Sequence, residues 1–473
     1  MSTGPAVLLS LGLAAMPCGG KMPSTASTEV VWEERIEVDS GRGYRGPWRM
    51  NESRFLYVDD PTVASNGDGS VGVVWADQAR RDLFFQRFGP DGDPLFEKPT
   101  NVSRSPRVFS WLPRAVMTSG NPGEVYVLWQ EIVFSGGTHG GEAFFARSTD
   151  GGRSFERPRN LSRSKAGDGK GRLTERRWHN GSLDLVRGPG GELYAAWTEY
   201  EGTLWLSRST NEGRNFSSPL AVTGSGDSLP ARGPSLAVAP DGTLFLAWTV
   251  GENREADIRW ATSRDRGRSF GEIRIAYASD SHSDAPKIAA DEGGTIHLVF
   301  DESESGPFGR SRVLYTRLDR DASRFERPRR ISGGGSGDPG GAAFPALDFG
   351  PAGTLFALWE HYPAGARRPR GLGYALSRDG GASFSPPSVI PGTLDPDLGV
   401  NGSQQGLLSR KLAVDDREIA VVNSTFREGE ESRVWLYRGK IRSRSPDQDP
   451  PDASSGSTGS EGSVGSATTT FGT

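Results

Sequence analysis

Short apolar runs that end on an aromatic residue recur along this chain. They read Val73-Val74-Trp75, Val127-Leu128-Trp129, Ala195-Ala196-Trp197, Leu246-Ala247-Trp248, Leu298-Val299-Phe300 and Ala357-Leu358-Trp359, with a weaker copy at Val421-Val422-Asn423. A short apolar segment precedes each run, such as Pro234-Ser235-Leu236-Ala237-Val238, and a Gly turn such as Pro240-Asp241-Gly242 joins the two. After the run comes a segment that alternates, as in Leu204-Trp205-Leu206-Ser207-Arg208, the period of a strand. No stretch sustains the i, i+3, i+4, i+7 spacing of an amphipathic helix. The same order of strands, returning at a blade-sized interval, predicts an all-β radial repeat: a β-propeller of four-stranded antiparallel blades.

The loop after the alternating strand carries a signature, Ser-x-Asp-x-Gly-x-x-Phe. It is complete in Ser148 to Phe155 (Asp150, Gly152), Ser263 to Phe270 (Asp265, Gly267) and Ser377 to Phe384 (Asp379, Gly381). Ser209 to Phe216 has Asn211 in the Asp place, Gly89 to Phe96 keeps Asp91 and Phe96, and Asp319 to Phe325 is degenerate. An Asp or Asn in a turn accepts backbone N–H groups, Gly permits positive φ, and Phe can pack between neighbouring blades, so a structural role is expected for these loops. The pattern resembles the Asp-box, or bacterial neuraminidase repeat, of the sialidase superfamily. The resemblance implies that the box turns between the third and fourth strands of a blade, on the face opposite the active site.

Seven units fit between about Phe55 and Ile441; six, the number in sialidase catalytic propellers, would follow if one copy is merged or missing. The last unit lacks a fourth strand, and an orphan segment, Val30 to Val38, precedes the first. Pairing this N-terminal strand with the last blade would close the ring and remove two exposed edges. The expected organisation is a signal segment over 1–18, a linker over 19–29, the propeller over 30–442 and a Ser/Gly-rich disordered tail over 443–473.

Composition sharpens this picture in three places. The 64 Gly and 32 Pro suit short strands and tight turns. A net charge of −4 gives no sequence-wide basic surface for nucleic acid. The single cysteine, Cys18, excludes an internal disulfide and follows the apolar run Ala6 to Pro17, which suits a signal peptide and is too short to span a bilayer. Cys18-Gly19-Gly20 also looks like a lipoprotein acceptor, while the lack of Lys or Arg before the run and Pro17 argue against it. The expectation is an exported monomer, secreted or lipid-anchored at Cys18, with that anchor its only membrane attachment.

Chain polarity nominates a site. In such a blade the first strand starts, and the second ends, on one rim. First-strand starts supply Asp59, Trp111, Arg114, Arg177, Trp178, His179, Arg232, His282 and Asp284; second-strand ends supply Asp77, Glu131, Glu199, Tyr200, Asp301, Glu302, Glu360 and His361. Aromatic rings, forked guanidinium groups and carboxylates on one rim suit a glycan or polysaccharide. The candidate catalytic groups are Asp59, Asp77, Glu131, Glu199, Tyr200 and Arg232. The candidate substrate-binding groups are Trp111, Arg114, Arg177, Trp178, His179, His282, Asp284, Glu360 and His361. No cofactor is called for, and the wide spacing of the histidines gives no metal motif.

The family resemblance implies a chemistry of three arginines on the substrate carboxylate, a Tyr nucleophile activated by Glu, and an Asp acid/base, an exception among glycosidases. Its first arginine belongs to an Arg-Ile-Pro motif, where this chain has Asp59-Asp60-Pro61. Arg232-Gly233-Pro234 resembles that motif in the fourth unit. Glu199-Tyr200 offers a carboxylate and a phenol, although neighbours on a strand point to opposite faces. Two functions are therefore expected: an exo-glycosidase for sialylated or other acidic glycans, or a non-catalytic propeller that binds a polysaccharide or protein through the same rim.

Overall fold

The computed structural model describes residues 30–442, apart from 48, 50, 106, 119–122, 133–140, 163–181, 200–201, 225–228, 252–255, 307–308, 334–339, 351–352, 403–409 and 417. The chain forms a seven-bladed β-propeller, each blade an antiparallel sheet. The innermost strands of blades 1 to 6 are Val58–Ser65, Ser110–Met117, Leu183–Arg187, Ala231–Val238, His282–Ala290 and Gly341–Phe349. In blade 7 Val400–Asn401 and Leu412–Asp415 share that place, both pairing with Glu418–Arg427.

The N-terminal segment closes the ring. It forms two strands: Val30–Trp32 pairs with Gly439 to Ile441, and Ile36–Arg42 pairs with Glu431 to Leu436 across a bulge at Glu37/Asp39. Together they make the outer edge of blade 7. The closing segment also ties the neighbours together. Trp32 packs edge-on against Tyr374 of blade 6, ring centroids 5.6 Å apart. Asp39 accepts the Trp75 indole N–H of blade 1 at 2.7 Å.

Each second strand lies between two neighbouring blades and buries both faces, which is why its sequence is a continuous apolar run ending in an aromatic. Trp75, Trp129, Trp248 and Phe300 are completely buried. Seven apolar clusters result, one in each interface between blades.

The Ser-x-Asp-x-Gly-x-x-Phe loops connect third and outer strands on one face. In four copies the Ser hydroxyl accepts the N–H of the Gly: Ser148 from Gly152, Ser209 from Gly213, Ser263 from Gly267 and Ser377 from Gly381, all at 2.8–2.9 Å. The Asp or Asn accepts the N–H four residues on, as Asp150 does from Ser154 at 2.9 Å. The Phe packs on the third strand of the preceding blade. Phe155 meets Phe85 with centroids 5.7 Å apart, Phe216 meets Phe145 at 4.8 Å, and Phe384 meets Tyr315 at 4.8 Å. The loop is thus a clasp between blades, and a Cβ on Gly152 would lie 2.0 Å from the Phe85 ring.

Candidate functional site

On the opposite rim, where inner strands begin, five blades share a distortion. Asp60-Pro61, Leu112-Pro113, Gly233-Pro234, Ala285-Pro286 and Phe344-Pro345 each place two residues opposite one on the second strand. The residue before each proline is left-handed, with φ between 50° and 62°. Pro supplies no N–H to the ladder, so the extra residue is accommodated there. In three of the five bulges the N–H of the residue before the proline turns toward the previous blade. Leu112 donates to Asp60 at 3.2 Å, Gly233 to Ser182 at 2.8 Å, and Phe344 to Asp301 at 2.9 Å.

Blades 4 and 5 concentrate ionisable groups there. Arg232 Nε and Nη2 donate to Asp284 Oδ2 at 3.3 and 3.2 Å, Nη2 lies 3.3 Å from His282 Nε2, and Nη1 donates to the Gly251 carbonyl. Asp284 Oδ1 accepts the Thr249 hydroxyl at 2.9 Å and the Ala285 N–H at 2.8 Å. Burial opposes the Asp284 charge, but Arg232 and His282 outweigh it and hold the carboxyl well below its usual range. Asp301 stands directly across the ladder from Asp284. Burial, with the Asp284 charge second, pushes Asp301 up to about 7. Two carboxyl groups side by side are driven apart in proton affinity, one ionised and one a proton carrier near neutral pH. The Asp284 side chain is 32 % exposed and Asp301 is buried, so of the two only the ionised carboxylate reaches solvent.

The other candidates are placed as follows. Asp59 is buried and accepts the Ser424 hydroxyl of blade 7. Asp77 caps a turn, accepting the Ala79 and Arg80 N–H groups at 2.9 and 3.1 Å and pairing with the Arg80 side chain. Glu131 is buried and accepts Ser105 and Trp129 at 2.9 and 3.1 Å; burial raises its pKa. Glu199 sits in a tight turn, its backbone bonded to Thr203 and Gly202. Trp111 is packed in a buried aromatic cluster with Phe55, Tyr57 and Phe109. Arg114 is 2 % exposed, its Nη1 donating to the Pro113 carbonyl at 3.0 Å. Glu360 and His361 part company, as strand parity requires. Glu360 enters a buried network with Asn401, 2.6 Å away, and Lys411. His361 lines a crevice on the blade 5 side with Trp359 and Arg330. Tyr200, Arg177, Trp178, His179 and Cys18 lie outside the described residues.

The structure therefore brings together Arg232, His282 and Asp284, and adds Asp301 and Thr249. Asp301 stands one place beyond the aromatic of its strand. Glu302, at the next place, faces the other way and pairs with Arg312 of the next strand at 2.7 Å. Among the described residues no three His, Cys, Asp or Glu side chains are grouped to hold a metal ion.

No protein-family model matches the chain, and no curated protein matches its sequence. Solved structures do match its shape. The polysaccharide lyase Uly1 aligns with a TM-score of 0.52 at 10 % identity, over 87 % of this chain and 100 % of its own. An ulvan lyase bound to -[GlcA(1-4)Rha3S]- aligns with a TM-score of 0.51 at 11 % identity, over 85 % of this chain and 95 % of its own. The NanB sialidase of Streptococcus pneumoniae aligns over 66 % of each chain with a TM-score of 0.46 and 11 % identity. At 10–11 % identity the two lyases share the propeller architecture with this chain over most of its length.

Proposed function

We propose that this chain is an exported glycan-active propeller that cleaves acidic polysaccharides or oligosaccharides on the rim of blades 4 and 5. The observation that carries this reading is the Asp284–Asp301 pair, one carboxyl held ionised by Arg232 and the other pushed up to about 7. A carboxylic acid that keeps its proton near neutrality is the group a glycosidic oxygen needs as it leaves, and the ionised partner can stabilise the positive charge that develops on the sugar. The propeller shape shared with two polysaccharide lyases supports a glycan as substrate class. The repeated clasp loops, which resemble the Asp-box, support the sialidase variety of this reading. The apolar run before Cys18 supports export.

The commitment of Arg232 favours a second reading. Its guanidinium is engaged by Asp284, the Gly251 carbonyl and His282, so it positions the acid pair and is not free to fork onto a substrate carboxylate. A sialidase needs three such free forks. A non-catalytic binder that uses the same rim would need neither the forks nor the acid pair.

The test is turnover by the purified chain of a fluorogenic sialoside, a uronic-acid-containing polysaccharide and a panel of neutral glycosides. Cleavage of an acidic substrate that is lost in Asp301→Asn and reduced in Arg232→Ala is the expected result. Binding of the polysaccharide without any product, by a folded sample, would replace the enzyme with the binding propeller.

A further inference from the structure

One level below the bulges, the inner strands present an equivalent set of positions, two residues after each left-handed residue: Thr62, Arg114, Ser235, Lys287 and Ala346. Asp184 takes the same place in blade 3, since its Oδ2 accepts the Leu236 N–H at 2.8 Å as Ser235 accepts the Ile288 N–H at 3.1 Å. Arg410, at the entry to blade 7, completes the circle; its carbonyl accepts the Thr62 hydroxyl at 3.0 Å.

These side chains meet across the axis. Arg410 Nη2 lies 3.8 Å from Asp184 Oδ1, joining blades 7 and 3, which are not neighbours. Arg114 and Lys287 come from blades 2 and 5; Lys287 is repelled by Arg114 and Arg410, and Arg114 by Arg410. Three cations thus lie near the Asp184 carboxylate, which already serves the Leu236 N–H, and Arg114 Nη1 also donates to the Pro113 carbonyl at 3.0 Å. The Lys287 ammonium has no hydrogen-bonding or ion-pair partner among the described residues. Two further acids approach the ring. Asp60 accepts the Leu112 N–H, and Asp348 accepts the Val414 and Phe349 N–H groups at 2.8 and 2.9 Å; burial raises the pKa of both, which weakens them as counter-charges. Burial, together with Arg114 and Arg410, lowers Lys287 to about 8, the response of a cation short of negative partners.

We propose that the axial ring of side chains binds a small oxyanion, of the sulfate or carboxylate class, on Lys287, Arg114 and Arg410. Such an anion would complete the hydrogen bonding of Lys287 and neutralise like charges in a region of reduced solvation, where charge-assisted bonds are strong. The site is separate from the Asp284–Asp301 pair and does not depend on turnover. The ligand has two sources, a free inorganic ion or the acid group of a sugar.

Calorimetric titration of the full chain with sodium sulfate and with glucuronate, at constant ionic strength set with chloride, tests this. Saturable binding that weakens about tenfold or more in Lys287→Met is expected, the loss of one charge-assisted contact. Sulfate binding at least as tight as glucuronate marks a free ion; tighter glucuronate marks a sugar acid. No saturable binding of either, or equal binding by the variant, overturns the site. Should Lys287→Met fail to fold, selenate soaked into crystals of the unaltered chain gives an independent answer. Anomalous signal within hydrogen-bonding distance of Lys287 supports the site, and its absence at saturating selenate overturns it.

Discussion

The two faces of this propeller are built on opposite logics. On the clasp face four loops repeat one set of hydrogen bonds, and Asp150, Asp265 and Asp379 are all held at lowered pKa by the hydroxyls and N–H groups around them. On the rim the side chains vary from blade to blade among the described residues, and Asp60, Asp301 and Glu131 are all buried at raised pKa. One face minimises free energy copy by copy; the other holds charged groups in conditions that destabilise them. Strained or under-solvated groups persist where function retains them. Repetition marks the frame, and departure from repetition marks the site.

The sharpest way to break the clasp face is a single methyl group. Gly152 has φ near +94°, and an added Cβ would sit 2.0 Å from the Phe85 ring at the interface of blades 1 and 2. Both the backbone conformation and the packing are violated, so Gly152→Ala should cost roughly 3–5 kcal/mol. Chemical denaturation reads this directly, and a loss below about 1 kcal/mol would mean the clasp does not hold the interface.

The rim should respond in the opposite direction. The folded-state pKa of Asp301 is raised, so between about 4 and 7 the folded protein binds more protons than the unfolded chain, and stability falls as pH rises through that window. Asp301→Asn removes the penalty. It should gain on the order of 2 kcal/mol at pH 8 and almost nothing near pH 4, while abolishing any turnover. Melting curves at the two pH values check the sign; a variant destabilised at pH 8 would show that the Asp301 carboxylate serves structure.

A smaller loss is expected from Ser263→Ala on the clasp face. Ser263 is 1 % exposed, and its hydroxyl accepts the Gly267 N–H at 2.8 Å and donates to Asp265 at 2.7 Å. Leaving that N–H without an acceptor should cost about 1–2 kcal/mol. The Asp265 carboxyl is depressed, so its support is present above about pH 4 and is lost on acidification. The difference between Ser263→Ala and the unaltered chain should therefore narrow in acid, as melting at pH 3 and pH 7 would show.

These contrasts also explain what could be read from the chain beforehand. The frame was legible because it is local and repeated: each aromatic-ended run, each clasp and the orphan strand at Val30 carry their instructions within a few residues. The site was only half legible. Arg232-Gly233-Pro234 stands out, yet the partner that decides its role, Asp284, is in the next blade. Strand parity separates Glu360 from His361 and Asp301 from Glu302, and a bulge shifts that parity at the rim. The axial ring was hidden for the same reason, since Arg410 and Asp184 meet only after the ring has closed.

The smallest effect gives the finest test of the comparison. Gly233 has positive φ, as the clasp glycines do, but its bulge is one of five, and the equivalent places hold Asp60, Leu112, Ala285 and Phe344. Nothing lies nearer than 3.8 Å to a Cβ at Gly233, the Cδ of Pro286. Only the conformational cost remains, and in the four sister bulges a side chain already bears it. Gly233→Ala should therefore cost about 1 kcal/mol or less, several-fold less than Gly152→Ala despite the same chemical change. Equal losses at the two positions would mean that left-handed backbone alone sets the cost. The distinction between a packed clasp and an open, proline-locked rim would then fail.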